Sequence, residues 1–393
     1  MNALAQTNAY FQMDIIRVDL ADKKLVHRFL HLPFRIYKNT PQWVPPMLMD
    51  ERARFIIRKY PFYKHSQAAF FLAIQGDQSI GRIAVLDNRL FNEYNHEATA
   101  FFYLFECENQ PAVASKLFQA AFVWAKSRGL NKILGPKGFT ALDGFGLLVK
   151  GFEFRPALGI PYNPPYYVDL LEGLGFEIAS ESVSGYMDAT MKFPQRIHEL
   201  SLRIQQRRGL TIARFKKRTD LKALIPQLKS LYNGALQGTS GGTPLTDADV
   251  KALTAQIVWF ADPSLIKIVL KTNKQDPDNK QMVGFLLAYP DISSALQRNG
   301  GRIFPFGWIS ILCELKKTDW ININGAGLIE EYRGLGGTAL LFSEMQKSVF
   351  ESGQFHHADI VQIGVENQKM QREMENFGIS FNKLHRVYQL NLV

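Results

Sequence analysis

The chain has 393 residues, too many for one small core, so two domains or one large one are expected, and its 46% apolar and 21% charged content is ordinary for a globular protein. No apolar run approaches the roughly 20 residues that span a bilayer, and the opening MNALAQTNAYFQ lacks the basic start and apolar core of a secretion signal. Two cysteines, Cys107 and Cys313, cannot form a disulfide framework, and a net charge of +10 without a long basic tract suits an anionic small ligand better than nucleic acid; the expected location is the reducing cytoplasm.

In chain order, 68–77 and 79–87 read as a hairpin of strands around a Gly-Asp turn, and 98–106 as a third strand. The stretch 114–129 has apolar residues at helical spacing, basic residues near its end and a stop at Gly129. A short strand, NKILG, follows, then a Gly/Pro-rich loop and a helix opened by prolines over 164–177. The polar stretch 194–210 predicts a helical linker. Beyond it, 265–273 and 281–290 form a second hairpin, 320–329 a strand, 336–353 a helix ending at Gly353, 357–365 a strand, 367–378 a helix ending at Gly378, and KLHRVYQLNL a last strand.

The second series repeats the first. Gly81 and Gly284 keep the same separation as Gly175 and Gly378. The second half carries an extra segment before its long helix, DISSALQRNGGRIFPFGWISILCELKKTD, expected to be helical. The first half carries extra residues after its own, the loop 135–167. The expected domains are 13–193 and 211–393, joined by 194–210.

One stretch carries the chemistry. In EEYRGLGGTALLF, a strand runs into a tight turn that opens a helix. A helix start leaves backbone N–H groups unpaired and carries partial positive charge. Gly334, Gly336 and Gly337 let the backbone bend and let a phosphate approach without meeting a Cβ. Arg333 can add a fork of donors, Leu335 completes the turn, and Thr338 can add a hydroxyl. No Gly-Lys-Ser/Thr follows, so this is not a P-loop. The GxGxxG dinucleotide pattern also fails, because position 339 is alanine.

LIEEYRGLGGTALL resembles the acyl-CoA loop of the GNAT acyltransferase superfamily, Arg/Gln-x-x-Gly-x-Gly/Ala at the start of a long helix. Arg333 and Gly336 match, and Thr338 takes the last small position. The next signature, an Asn opening a helix that ends in Gly-Phe, is met by Asn367 and Gly378, with Ile379 in place of Phe. More narrowly, the GPKGF, GLLVKGF, YNPPYY, FPFG and EYRG stretches at 135–139, 146–152, 162–167, 304–307 and 331–334 resemble those of bacterial tandem-GNAT proteins. The resemblance implies an α/β fold, two GNAT-like domains in tandem, each a mixed central sheet flanked by helices. It implies acyl-CoA, acetyl-CoA first, as co-substrate, held in a V between strands 320–329 and 357–365. Gly327, Leu328 and Ile329 would pair with the pantetheine arm, and residues 333–338 would hold the diphosphate. The first half runs from its strand into CENQPAVASKLF with no glycine turn, so the cofactor is assigned to the second half and the first half to completion of the acceptor pocket.

Amine acylation needs a group to take the amine's proton and one to protonate the leaving thiolate. Many GNAT enzymes use a tyrosine four residues before the Gly of the final helix; here that position is Met374. Tyr388 is the candidate substitute acid, Glu366 the candidate base, and Asn367 either a helix cap or a group that orders the thioester. Tyr162, Asn163, Tyr166 and Tyr167, in a loop that also carries Lys137 and Asp143, are the candidate acceptor contacts. His356 and His357 read as solvent-facing, no metal-ligand spacing is present, and acidic neighbours make Cys107 a poor nucleophile. The expected activity is transfer of an acyl group to a small-molecule or peptide amine. The alternatives are a Fem-type aminoacyl-tRNA-dependent transferase, for which Arg203, Arg207, Arg208, Lys216, Lys217 and Arg218 would be the basic surface, and a non-catalytic acyl-CoA-binding protein.

Overall fold

The computed structural model describes residues 13–215, 217–235, 242–251, 261–272 and 280–392, without the side chains of 222–226. The opening dodecamer, Lys216 and the end of the 265–273 strand lie outside the described residues. Contacts divide the chain into two compact units. Unit 1 takes 13–152, 161–181 and 385–392; unit 2 takes 153–160 and 182–384.

Unit 1 orders its strands β1 (Met13–Arg17), β2 (Gln67–Gln75), β3 (Gln78–Asp87), β4 (Thr99–Cys107) and β5 (Lys132–Gly135), then the end of β13 (Ser380–Asn391), with which the short β6 (Leu147–Lys150) also pairs. The β2–β3 turn falls at Gly76, whose φ of 56° is the left-handed conformation that glycine adopts without steric cost. β4 and β5 are parallel, as their connection through a helix requires. The final residues of the chain thus complete the sheet of the first unit, with Tyr388 opposite Gly135. Helices α1 (Lys23–Ile36), α2 (Leu48–Ala53), α3 (Arg89–Asn95), α4 (Pro111–Lys126) and α5 (Tyr167–Glu172) accompany this sheet. α4 buries Leu117, Phe118 and Ala121 on one sheet face, while Phe29, Phe70, Phe101 and Phe139 fill the other. Gly81 is required there, because a Cβ would meet Leu117 Cδ1 at 2.7 Å.

Within this unit Asp143 is engaged by its neighbours. It accepts from Arg54 Nη2 at 2.6 Å and from the Thr140 amide, and the two charged side chains are only 12% and 10% exposed. Burial alone would raise the Asp143 carboxyl, but Arg54 and Thr140 outweigh it and hold its pKa below the ordinary value. A lowered folded pKa means the ion pair's stabilisation is complete above the unfolded value of about 3.9 and is lost as pH falls through the folded one. Denaturant melts of wild type between about pH 5 and pH 2 should therefore show an acid limb that is flatter in Asp143→Asn. Equal slopes would show that this carboxylate does not contribute to it.

Unit 2 orders the end of β7 (Glu177–Asp188), then β12 (His357–Gly364), β11 (Trp320–Leu328), β10 (Lys280–Pro290), β9 (Ile266–Thr272) and β8 (Leu210–Ile212). Its helices are α6 (Gln195–Arg208), α7 (Ile225–Ala235), α8 (Ser293–Asn299), α9 (Gly307–Lys317), α10 (Gly337–Ser352) and α11 (Gln368–Asn376). The polar linker is α6, which turns Ile197, Ser201 and Ile204 inward and ends at Gly209 in the left-handed region. α6 packs on α10, and α10 places Leu340, Leu341, Met345 and Val349 against Ile321, Ile323, Ala358 and Ile360 of the sheet. The extra segment of the second half is the helix pair α8 and α9.

Candidate functional site

β11 and β12 pair in parallel only from Trp320 and His357 to Ile323 and Ile360, and then part. Two irregularities drive them apart. Asn324 has no partner on β10, since Ile323 faces Ala288 and Gly325 faces Leu287. On the other side, β12 slips against β7 between Ile360 and Ile363. Such bulges bend a strand and raise its local twist. Beyond the fork, 324–327 are partly exposed, and Asn324 Oδ1 is buried with no hydrogen-bond partner among the described residues. At Gly327 a Cβ would be crowded, 3.0 Å from Ala235 Cβ and 3.2 Å from the Phe285 ring.

The turn that follows lies at the end of this edge. Gly334 and Gly336 have φ of 70° and 87°, and α10 starts at Gly337. Residues 333–336 form a turn, yet the backbone N–H groups of 334–339 make no well-aligned hydrogen bond among the described residues, the first in the helix being Leu340 N–H to Gly336 O at 3.1 Å. Gly334 is exposed, and Leu335, Gly336 and Thr338 are partly so. Lys369 Nζ stands 3.2 Å from the position of a Cβ on Gly334. Free amides at a helix start with an ammonium beside them can receive a phosphate. Gly336 has a packing reason as well, since a Cβ would run into Ile204 Cδ1 of α6.

Three expectations for this turn are revised. The Arg333 side chain, although exposed, is already engaged: Nε donates to Leu328 O at 3.2 Å and Nη2 to Ala235 O at 2.8 Å, which clamps the turn to the strand end and to α7. Leu328 is buried and its carbonyl is held by that clamp, while the Ile329 N–H donates to Val283 O. The open edge is therefore 324–327, slightly earlier than expected.

Glu366 follows β12 and is exposed, its carboxylate folded into the space that a side chain on Gly364 would take. Asn367 caps α11, Oδ1 accepting from Met370 N–H at 3.2 Å. Gln371 Nε2 ties down the carbonyls of Gly364 and Val365. Met374 is a core residue of unit 2, packed with its apolar cluster. Tyr388 belongs to unit 1, where it is fully buried with its hydroxyl donating to Glu172 Oε1 at 3.1 Å.

The loop residues assigned to an acceptor are likewise occupied in unit 1. Asn163 accepts from Leu148 N–H at 2.7 Å and donates to Leu148 O, both within the protein interior. The Tyr162 hydroxyl donates to Phe152 O. Tyr166 and Tyr167 have a more telling role. β4 and β5 also part, after Phe101 and Leu134, but Tyr166 donates to Cys107 O and the Tyr167 oxygen accepts from Cys107 N–H, each at 2.8 Å. The tyrosines close the strand end whose counterpart in unit 2 is open. The helix start beyond it is spent too: Pro111 has no N–H, and Val113 and Ala114 donate to Gln110 O. Burial first, and Glu108 next, push the Cys107 thiol up to about 12, which leaves it inert.

Other buried polar groups carried no local signal in the sequence. In unit 1 the Glu106 carboxylate accepts from Tyr37 and Tyr167 and lies 3.5 Å from Arg82, and burial raises its pKa despite these partners. Lys137 is partly buried over the rings of Phe91 and Phe101, and desolvation lowers its pKa to about 8. In unit 2 Asp359 pairs with Lys383 at 3.0 Å, and Asp291 with Arg155 at 2.5 Å and with Asn322 at 3.1 Å. His357 is engaged by the Tyr186 hydroxyl at 2.8 Å and by the Trp320 ring rather than free in solvent. Among the described residues no group of three His, Cys, Asp or Glu could hold a metal, and Arg218 of the basic cluster donates to Ala261 O.

No family model matches the chain. It is 26% identical over 392 residues to protein YghO of Escherichia coli K12, covering 98% of this chain and 97% of that one. It is 27% identical over 371 residues to a bacterial ceramide synthase of Caulobacter vibrioides, covering 92% and 94%. Among solved structures, it resembles a tandem GNAT protein from the clavulanic acid biosynthesis pathway at a TM-score of 0.57 and 9% identity, covering 97% of this chain and 99% of that one. A GCN5-related N-acetyltransferase from Sphaerobacter thermophilus gives a TM-score of 0.50 at 11% identity, with 97% and 96% covered.

Proposed function

We propose that this chain, which has the fold of a tandem GNAT protein, is an acyl-CoA-dependent N-acyltransferase whose second unit holds the acyl-CoA. The observation that carries this reading is the contrast between the units: β11 keeps an open edge leading to unpartnered amides at 334–339, whereas Tyr166, Tyr167 and Pro111 close the matching positions of unit 1. The edge 324–327 would take the amides of the pantetheine arm as an added strand takes a neighbour. The turn 334–338 and Lys369 would hold the diphosphate, with Arg333 keeping the turn in shape. The bound thioester supplies the acyl group. Glu366, exposed at the end of β12, is positioned to take a proton from an incoming amine, and Asn367 fixes the helix start beside it. The ceramide synthase relative makes a long-chain amino alcohol the first acceptor class to test and a long-chain acyl-CoA the first donor beside acetyl-CoA.

The test is calorimetric titration with coenzyme A, followed by amide detection by mass spectrometry with both donors across an amine panel that includes sphinganine. Saturable binding and an amide product are expected, and absence of binding would overturn the reading. Binding without any amide would instead favour the non-catalytic alternative, which the burial of Met374 at the usual acid position also supports. Glu366→Gln should slow turnover by about 10²–10⁴-fold with coenzyme A affinity unchanged; an unaltered rate removes Glu366 as the base.

A further inference from the structure

The segment 302–317 has no part in the site above. It displays Phe304 and Phe306 at 69% and 73% exposure, with Trp308, Ile309 and Leu312 also exposed. Five large apolar side chains open to solvent within nine residues are far from the scatter normal on a soluble surface. The display is anchored from within. Ile303 and Ile311 are buried and anchor the segment, the Trp308 N–H donates to Ile303 O at 2.9 Å, and Asn299 Nδ2 donates to Gly307 O at 3.2 Å. Gly307 is enforced, since a Cβ there would run into Arg302 O. The Trp308 indole N–H is already satisfied by Pro305 O at 3.0 Å, so the ring can enter an apolar phase without losing a hydrogen bond.

Charge selects the occupant. Arg302, Lys316 and Lys317 are exposed around the apolar residues. The acid of the segment, Glu314, is tied to Arg298 at 2.5 Å and has little exposure. On α9, Trp308, Leu312 and Lys316 stand in one file at successive helical turns, with Ile309 beside them, so the lysine stem continues the apolar strip and its ammonium marks the edge. Two copies meeting through this face in a symmetric pair would set cation against cation. An anionic sheet of headgroups over an apolar layer complements it throughout.

We propose that residues 302–317 dock this protein on an anionic lipid surface, with Phe304, Phe306, Trp308 and Leu312 entering the headgroup–acyl boundary and Arg302, Lys316 and Lys317 meeting lipid phosphates. The inference stands independently of the acyl-transfer reading. It is tested by sedimenting the full chain with phosphatidylcholine vesicles containing one third phosphatidylglycerol, and with pure phosphatidylcholine vesicles. Wild type should pellet with the first, less at high salt, and weakly with the second. Phe304→Ser with Phe306→Ser, and separately Lys316→Glu with Lys317→Glu, should each lower partitioning by about tenfold or more. Both variants change exposed side chains, so their melting temperatures should match wild type. Failure of wild type to bind the anionic vesicles overturns the proposal, as do variants that bind equally well. Self-association abolished by the same variants, without vesicle binding, would also overturn it and assign the face to a second copy.

Discussion

Gly334→Asp is expected to weaken coenzyme A binding by about a hundredfold while the fold stays intact. The φ of 70° at this position is one that aspartate tolerates better than most residues. An added side chain would meet only the Lys369 amine, at 3.2 Å, a flexible and oppositely charged neighbour. The carboxylate would then sit at the mouth of the amides proposed to hold the diphosphate. A unit charge roughly 5 Å from a phosphate costs about 3 kcal/mol at an effective dielectric of about 20, which is the hundredfold loss. Gly334→Ala is the control: it carries the backbone strain without the charge, and its loss should stay within several-fold. Gly336→Asp is a poorer test, because any side chain there collides with Ile204 and would disturb the α6–α10 contact along with the site. Calorimetry on the two Gly334 variants decides the matter; equal affinities for Asp and wild type would place the diphosphate elsewhere.

The division between what the residues announced and what they hid follows interaction range. Turns and caps are local, so Gly76, Gly129, Gly353 and Gly378 marked element ends that the structure bears out with positive φ at each. Asn367 as a helix cap was legible for the same reason. The strand-turn-helix around 320–352 follows from β-branched content giving way to glycines and then helical spacing. What stayed hidden depends on partners far away in the chain. Nothing within KLHRVYQLNL says that its last residues join the sheet of the other half. Tyr166 and Tyr167 looked like ligand contacts because tyrosines in a Gly/Pro loop suit a pocket, but the edge they close belongs to Cys107, some way back in sequence. Arg333 lies in a motif that invites a ligand contact, and only the position of Ala235 shows that its guanidinium is already engaged by the protein. Asn324 carried no signal, since a bulge is a mismatch between two strands and is invisible in either one alone.

The buried pair beneath the fork is where a single atom change should cost unit 2 most. Asp359 and Lys383 lie 3.0 Å apart with side-chain exposures of 7% and 1%. Burial raises the Asp359 pKa and Asp291 adds to that, while Lys383 pulls it back. Asp359 stands opposite Asn322 in register, one step before β11 and β12 part, so the pair braces the sheet where the open edge begins. Asp359→Asn keeps the shape but leaves an ammonium buried without its counter-charge, which typically costs about 3–5 kcal/mol. For a unit of this size that is a fall of roughly 10 °C in the melting temperature. Removing both charges, as in Asp359→Leu with Lys383→Met, should recover most of the loss, because an apolar replacement no longer strands a charge. Melting curves of the single and double variants check this. If the single variant melts with wild type, water reaches Lys383 and the pair is not the brace described. If the double variant recovers stability and still binds coenzyme A, the pair serves the sheet; if stability returns and affinity does not, the geometry of the fork itself depends on these two charges.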